Sequence, residues 1–178
     1  MSSSDPLRLG KRWIGGFAVV FGAAIALSAC TVQPLYGPTP TGEAVTTALD
    51  RIAIDPVDTR IAQEVRNRLI FTMGGGKQAS AAYRMKLTVT ASESALGVTP
   101  IETAPTYSIT VAATYEIRSL ATDEIVLRGT SRGLASFDRI TQVYANTRAE
   151  LDAENRAAIQ AATDIQIRLA SAAANGVI

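Results

Sequence analysis

Three consecutive stretches between residues 83 and 137 alternate apolar and polar side chains with a period of two, and this pattern constrains the fold most tightly. Successive side chains of an extended strand point to opposite faces, so alternation sorts each strand into an oily side and a wet side. In the first stretch Tyr83, Met85, Leu87, Val89 and Ala91 share one side, opposite Arg84, Lys86, Thr88 and Thr90. The second sets Tyr107, Ile109, Val111, Ala113, Tyr115 and Ile117 against Thr106, Ser108, Thr110, Thr114, Glu116 and Arg118. The third runs from about Glu124 to Phe137, with Ile125 and Leu127 opposed to Glu124, Arg128, Thr130 and Arg132. Leu120 to Asp123 is short enough to be a hairpin turn between the last two stretches. The pattern predicts an antiparallel sheet with one face to bury and one face of threonines and charges.

Helical segments flank these strands. Arg51-Ile52-Ala53-Ile54-Asp55 is short, β-branched and stopped by Pro56, which predicts a further strand. Asp58 is placed to cap a helix in which Ile61, Val65, Leu69 and Met73 recur every four residues, and Gly74-Gly75-Gly76 ends it. Lys77 after that glycine run does not make a phosphate loop, because Gln78 stands where Ser or Thr is required. At the other end, Thr147-Arg148-Ala149-Glu150 has the form of a capping box. Leu151, Ala158, Ala162, Ile165, Leu169 and Ala172 follow at helical spacing up to Asn175-Gly176, about 25 residues in all. Its alanines would let it lie close against the sheet. The expected architecture is an α+β two-layer sandwich of order β-α-β-β-β-α, a mainly antiparallel four-stranded sheet with two helices packed on one face.

The N-terminal region has a different composition. Arg8, Lys11 and Arg12 precede an uncharged apolar run from Trp13 to Leu27, and Ser28 and Ala29 lead to Cys30. This is the order of a secretory signal; the run has 15 residues where a membrane span needs about 20. Leu27-Ser28-Ala29-Cys30 is similar to the bacterial lipobox, in which small residues leave the cysteine thiol accessible for acylation. Cys30 is the single cysteine of the chain, which excludes an intramolecular disulfide. Residues 1–29 are therefore read as a lipoprotein signal peptide and Cys30 as the lipidated first residue of the mature chain, held by its acyl chains. Residues 30–48, with Pro34, Gly37, Pro38 and Pro40, are read as a flexible tether, and residues 49–178 as a single folded domain.

Charge and composition exclude several functions. The net charge of +1 is set by the leader: without Arg8, Lys11, Arg12 and Asp5, 14 basic and 15 acidic residues remain. That balance is no footprint for nucleic acid. The chain has no histidine, which removes the commonest general base and metal ligand. With Cys30 consumed by acylation, nucleophilic catalysis is left with serine and Lys77 or Lys86, and the carboxylates are scattered. No catalytic residue, no metal and no cofactor beyond the diacylglyceryl and N-acyl lipid of Cys30 is expected.

Cys30-Thr31-Val32-Gln33-Pro34-Leu35-Tyr36-Gly37 resembles the opening of LptE, the lipopolysaccharide-assembly lipoprotein family, in the shorter form found in α-proteobacteria. Thr31 and Val32 depart from that opening. Arg60-Ile61-Ala62-Gln63-Glu64-Val65-Arg66-Asn67-Arg68-Leu69 is similar to the family's first helix. Tyr144-Ala145-Asn146, Asp152-Ala153 and Arg168-Leu169-Ala170 are similar to its last. The resemblance implies a non-catalytic lipoprotein on the periplasmic face of the outer membrane. It would bind the LptD β-barrel, help it assemble and assist lipopolysaccharide insertion into the outer leaflet. Thr31 is not the aspartate that retains many lipoproteins in the inner membrane, which agrees with that location. Arg84, Lys86, Arg128 and Arg132 are the candidates for contact with lipopolysaccharide phosphates. The alternatives are an auxiliary lipoprotein of a lipid-transporting ABC system and a lipoprotein activator of peptidoglycan synthases, which would share the anchor and a small α+β body.

Overall fold

The computed structural model describes residues 44–74, 81–96 and 105–178. The leader, Leu27, Ser28, Ala29 and Cys30 lie outside the described residues, as does most of the expected tether. The elements are α1 (Val45–Asp50), β1 (Ile52–Ile54), α2 (Arg60–Gly74), β2 (Tyr83–Leu96), β3 (Thr106–Ser119), β4 (Ile125–Asp138) and α3 (Val143–Ala174). The strands form one sheet in the order β1-β2-β3-β4. Its long strands pair antiparallel, while β1 pairs parallel with Tyr83–Met85 of β2. The α+β sandwich predicted from the sequence is therefore present, with one helix more than expected.

That extra helix is a correction to the expected boundary at residue 49. Val45, Ala48 and Leu49 of α1 are buried and belong to the core, so ordered structure starts within the segment read as tether. Val45, Ala48 and Leu49 stand at i, i+3 and i+4, the spacing of one helix face. The start of α2 also differs from expectation, because the hydroxyl of Thr59, not Asp58, accepts the amide of Ala62, at 3.3 Å. From there Ala62, Val65, Leu69 and Met73 turn inward.

Both long helices cover the same face of the sheet. The inward residues of the alternating runs are the expected ones: Met85, Leu87 and Val89 in β2, and Ile109, Val111, Ala113, Tyr115 and Ile117 in β3. In β4 the inward series is Ser131, Gly133, Ala135 and Phe137, while Ile125 and Leu127 are only half-buried. A register shift between Ile117 and Arg118 leaves Val126 as the extra residue of a bulge at this end of β4, where the strict alternation is broken. At the fully covered end, α3 presents Ala153, Ala157, Ala158, Ala161 and Ala162 to the sheet. A Cβ on Gly133 would collide with the backbone of Ala157 and Ala161, so strand and helix meet backbone to backbone there. Further along, Ile165 and Leu169 are fully buried, each contributing roughly 1.5–3 kcal/mol of apolar transfer.

Helix α3 is longer than expected, 32 residues in place of about 25. Thr147 is not its cap: the Thr147 hydroxyl donates to the carbonyl of Val143 at 3.3 Å, one turn back inside the helix. The entry is fastened instead by Asn146. Its side chain accepts the Ile140 amide at 2.8 Å and donates to the Ile140 carbonyl at 2.7 Å. At about 1.5 Å per residue the helix is ~48 Å long, close to the ~46 Å of a 14-residue strand, so one helix backs β4 along its length. It ends as expected at Asn175 and Gly176, where a φ of +71° suits glycine.

Candidate functional site

The face of the sheet away from the helices carries the second half of each alternating run. Its cross-strand rows follow from the pairing register: Arg84–Arg118, Lys86–Glu116–Arg128, Thr88–Thr114–Thr130 and Thr90–Ala112–Arg132. Arg84, Lys86, Arg128 and Arg132 are all exposed, so all four phosphate-contact candidates share this face. Lys86 and Arg128 flank Glu116 across three strands, which places their Cα atoms about 10 Å apart. Arg132 lies four residues along β4 from Arg128, roughly 13 Å away. Long, mobile side chains at such spacings can converge on one anionic group.

Arg84 is drawn aside. Its guanidinium stands 3.6 Å from the Asp55 carboxylate, at the sheet edge where β1 ends. Arg118 is directly opposite Arg84, a placement that would be repulsive if both charges were uncompensated. Arg118 in turn lies 3.6 Å from the Asp123 carboxylate and donates to the Asp123 carbonyl at 2.6 Å. That contact pins the hairpin residue with positive φ, +58° at Asp123. Among the described residues, Lys86, Arg128 and Arg132 make no ion pair. Three of the four candidates thus make no ion pair among the described residues, although Glu116 stands between Lys86 and Arg128, and the fourth is loosely paired with Asp55. Sequence reasoning missed Arg118 and Glu116 as members of the cluster, although the alternation had already put them on this face.

Between the basic rows the surface is hydroxyl-rich. The Thr114 and Thr130 hydroxyls are 3.0 Å apart, and Thr88 completes their row. Shallow hollows run along it, one lined by Lys86, Thr88, Thr114 and Glu116 and one by Asp55, Arg84, Lys86, Glu116, Arg118 and Asp123. β-branched threonine holds the strands extended and offers a donor and acceptor at each position. Nothing in the row is a nucleophile paired with a base. The arrangement suits broad polar contact.

The sheet is anchored from beneath. The buried Ser131 hydroxyl donates to Oδ2 of Asp164 at 2.6 Å, and Arg168 donates to the same oxygen at 2.9 Å. The Ser131 hydrogen bond is the main reason the Asp164 carboxyl lies below its usual range; burial opposes it and Arg168 reinforces it. Close by, burial pushes the Tyr115 phenol up, Arg168 partly offsetting this. These groups fix the register of α3 under the strands and do not face the open side.

Comparison with solved structures places this fold among lipoproteins. A protein from Caulobacter crescentus CB15 described as a lipoprotein aligns with a TM-score of 0.62 and 21% identity, covering 73% of this chain and 95% of its own. The minor lipoprotein of Acinetobacter baumannii aligns at 0.53 and 12% identity, over 69% of this chain and 92% of its own. Rare lipoprotein B of Shewanella oneidensis gives 0.51 and 20%, over 68% and 93%. At these identities the likeness is one of fold. No curated protein matches the sequence. The LptE model, described as lipopolysaccharide-assembly, matches residues 49–169, about two thirds of the chain. The chain belongs to the LptE family, a family of non-enzymatic, membrane-associated lipoproteins that act in lipopolysaccharide transport.

Proposed function

We propose that this protein is an outer-membrane lipoprotein, tethered through acylated Cys30, that binds the LptD β-barrel, helps it assemble and assists insertion of lipopolysaccharide into the outer leaflet. Family membership over residues 49–169 is the observation that carries the reading. The open sheet face supports it physically. A body seated in a water-lined barrel needs polar contact surface, and the rows of threonine with Lys86, Arg128 and Arg132 provide it without drawing on the core. The same three cations are the groups proposed to meet lipopolysaccharide phosphates, with Arg84 at the margin. No helix of the described residues is long and apolar enough to cross a membrane. Attachment in this reading falls to the lipid on Cys30, with residues 1–29 removed as the signal and Leu27-Ser28-Ala29 as the recognition sequence. Neither the ABC-system nor the peptidoglycan-synthase alternative has an observation in its favour.

The test combines three readouts on the full-length chain expressed in its own envelope. Metabolic labelling with palmitate should be lost in Cys30→Ala. Depletion of the chain should lower the amount of assembled LptD, and affinity purification of the wild type should bring LptD down with it. Unchanged LptD levels together with no co-purification would refute the reading.

A further inference from the structure

One acidic side chain stands among the cations of the open face. Glu116 is at the centre of its row, directly opposite Lys86 on β2 and Arg128 on β4. Residues so placed have Cβ atoms about 5 Å apart, within reach of an ion pair. Among the described residues the Glu116 carboxylate nevertheless pairs with neither. The adjacent row behaves differently, since Arg84 and Arg118 lean toward Asp55 and Asp123. On the other side of Glu116 lies the threonine row, and a hollow of about 140 Å³ opens among Lys86, Glu116, Thr88 and Thr114.

Charge and hydrogen-bonding capacity together make this row selective. An ammonium and a guanidinium only donate, and an ionised carboxylate only accepts. Lys86 and Arg128 can each take a phosphate oxygen. A bare polyanion laid across them brings like charge against Glu116 and offers that carboxylate no proton. A phosphorylated sugar does otherwise: its phosphate meets the cations while a ring hydroxyl donates to Glu116 in a charge-assisted hydrogen bond. Thr88 and Thr114, each both donor and acceptor, can serve the neighbouring hydroxyls from the same hollow.

We propose that Glu116 is the specificity-determining residue of the open face, setting it to favour an anion that carries hydroxyl donors, a phosphorylated saccharide, over a bare polyanion. Its effect is a difference of affinities: it opposes any anion, and returns a hydrogen bond only to one that brings a donor. The inference rests on the reading that Lys86 and Arg128 meet lipopolysaccharide phosphates, and adds to it the residue that discriminates among phosphate-bearing ligands.

Calorimetric titration of the full-length protein in detergent tests this with two probes at equal ionic strength: inorganic tripolyphosphate, and lipopolysaccharide stripped of its acyl chains by alkali, a phosphorylated oligosaccharide. The wild type should bind the oligosaccharide more tightly. Glu116→Gln keeps the size of the side chain and removes its charge; it should cut that preference about tenfold, chiefly by strengthening tripolyphosphate, with an effect that shrinks as salt is raised. Glu116→Asp, which keeps the charge, should retain most of the preference. A preference unchanged by Glu116→Gln overturns the inference, and so does a wild type that binds tripolyphosphate at least as tightly as the oligosaccharide. If Lys86→Glu and Arg128→Glu still weaken the oligosaccharide in that case, the lipopolysaccharide reading stands without the inference; if neither variant alters its binding, both fall.

Discussion

The hydroxyl of Ser131, on the inner face of β4, donates to the Asp164 carboxylate of α3 at 2.6 Å, which ties the sheet to the helix at the margin of the core. Because the folded state holds this carboxyl below its ordinary value, the bond contributes stability that is fully present above about pH 4, where the unfolded chain's aspartate is also ionised. That contribution is lost as pH falls through the depressed folded value. Ser131→Ala should cost about 1 kcal/mol at neutral pH and make the loss of stability on acidification shallower. Urea melts of the two proteins between pH 6 and pH 2 check this; parallel pH profiles would show that the bond carries no such linkage.

Gly133 and Gly129 both lie on β4 but face different obstacles. A side chain at Gly133 meets the backbone of α3 at Ala157 and Ala161, whereas one at Gly129 meets the phenol end of Tyr115. Backbone cannot swing away, and a side chain can in part. Gly133→Ala should therefore cost about 1–3 kcal/mol, and Gly129→Ala less. Thermal unfolding of the two variants gives the order directly.

On the open face, charge reversal should separate the cations. Lys86→Glu, Arg128→Glu and Arg132→Glu should each weaken binding of purified lipopolysaccharide about tenfold, with an effect that shrinks as salt is raised. Arg84→Glu should do less, since its guanidinium already stands beside Asp55. Equal affinity for all four variants and the wild type would remove this face as the phosphate contact.

Much of this was legible because period-two alternation survives any tertiary context that buries one side of a sheet. Residues Met85 to Val89 and Ile109 to Ile117 went where their pattern put them. The helix entries were not legible in the same way. Thr147 has the right partner at Glu150 for a cap, but Asn146 reaches back to Ile140 and starts the helix earlier. Such a clamp depends on where β4 releases the chain, which no local spacing encodes. Helix α1 was obscured by the proline-rich composition before it, whereas β1 was legible from its β-branched residues and the stop at Pro56. In the candidate site, alternation placed Arg84 with Lys86, but only the pairing register shows Arg84 leaning to Asp55 and Glu116 standing between Lys86 and Arg128.

Housing both long helices on a single side of the sheet gives the outward rows unusual mutational latitude. Exchanges among Thr88, Thr114, Thr130 and their charged neighbours leave the apolar packing beneath them intact. Recognition can thus diverge between relatives without eroding the scaffold, as expected of chains that keep this fold at 12–21% identity.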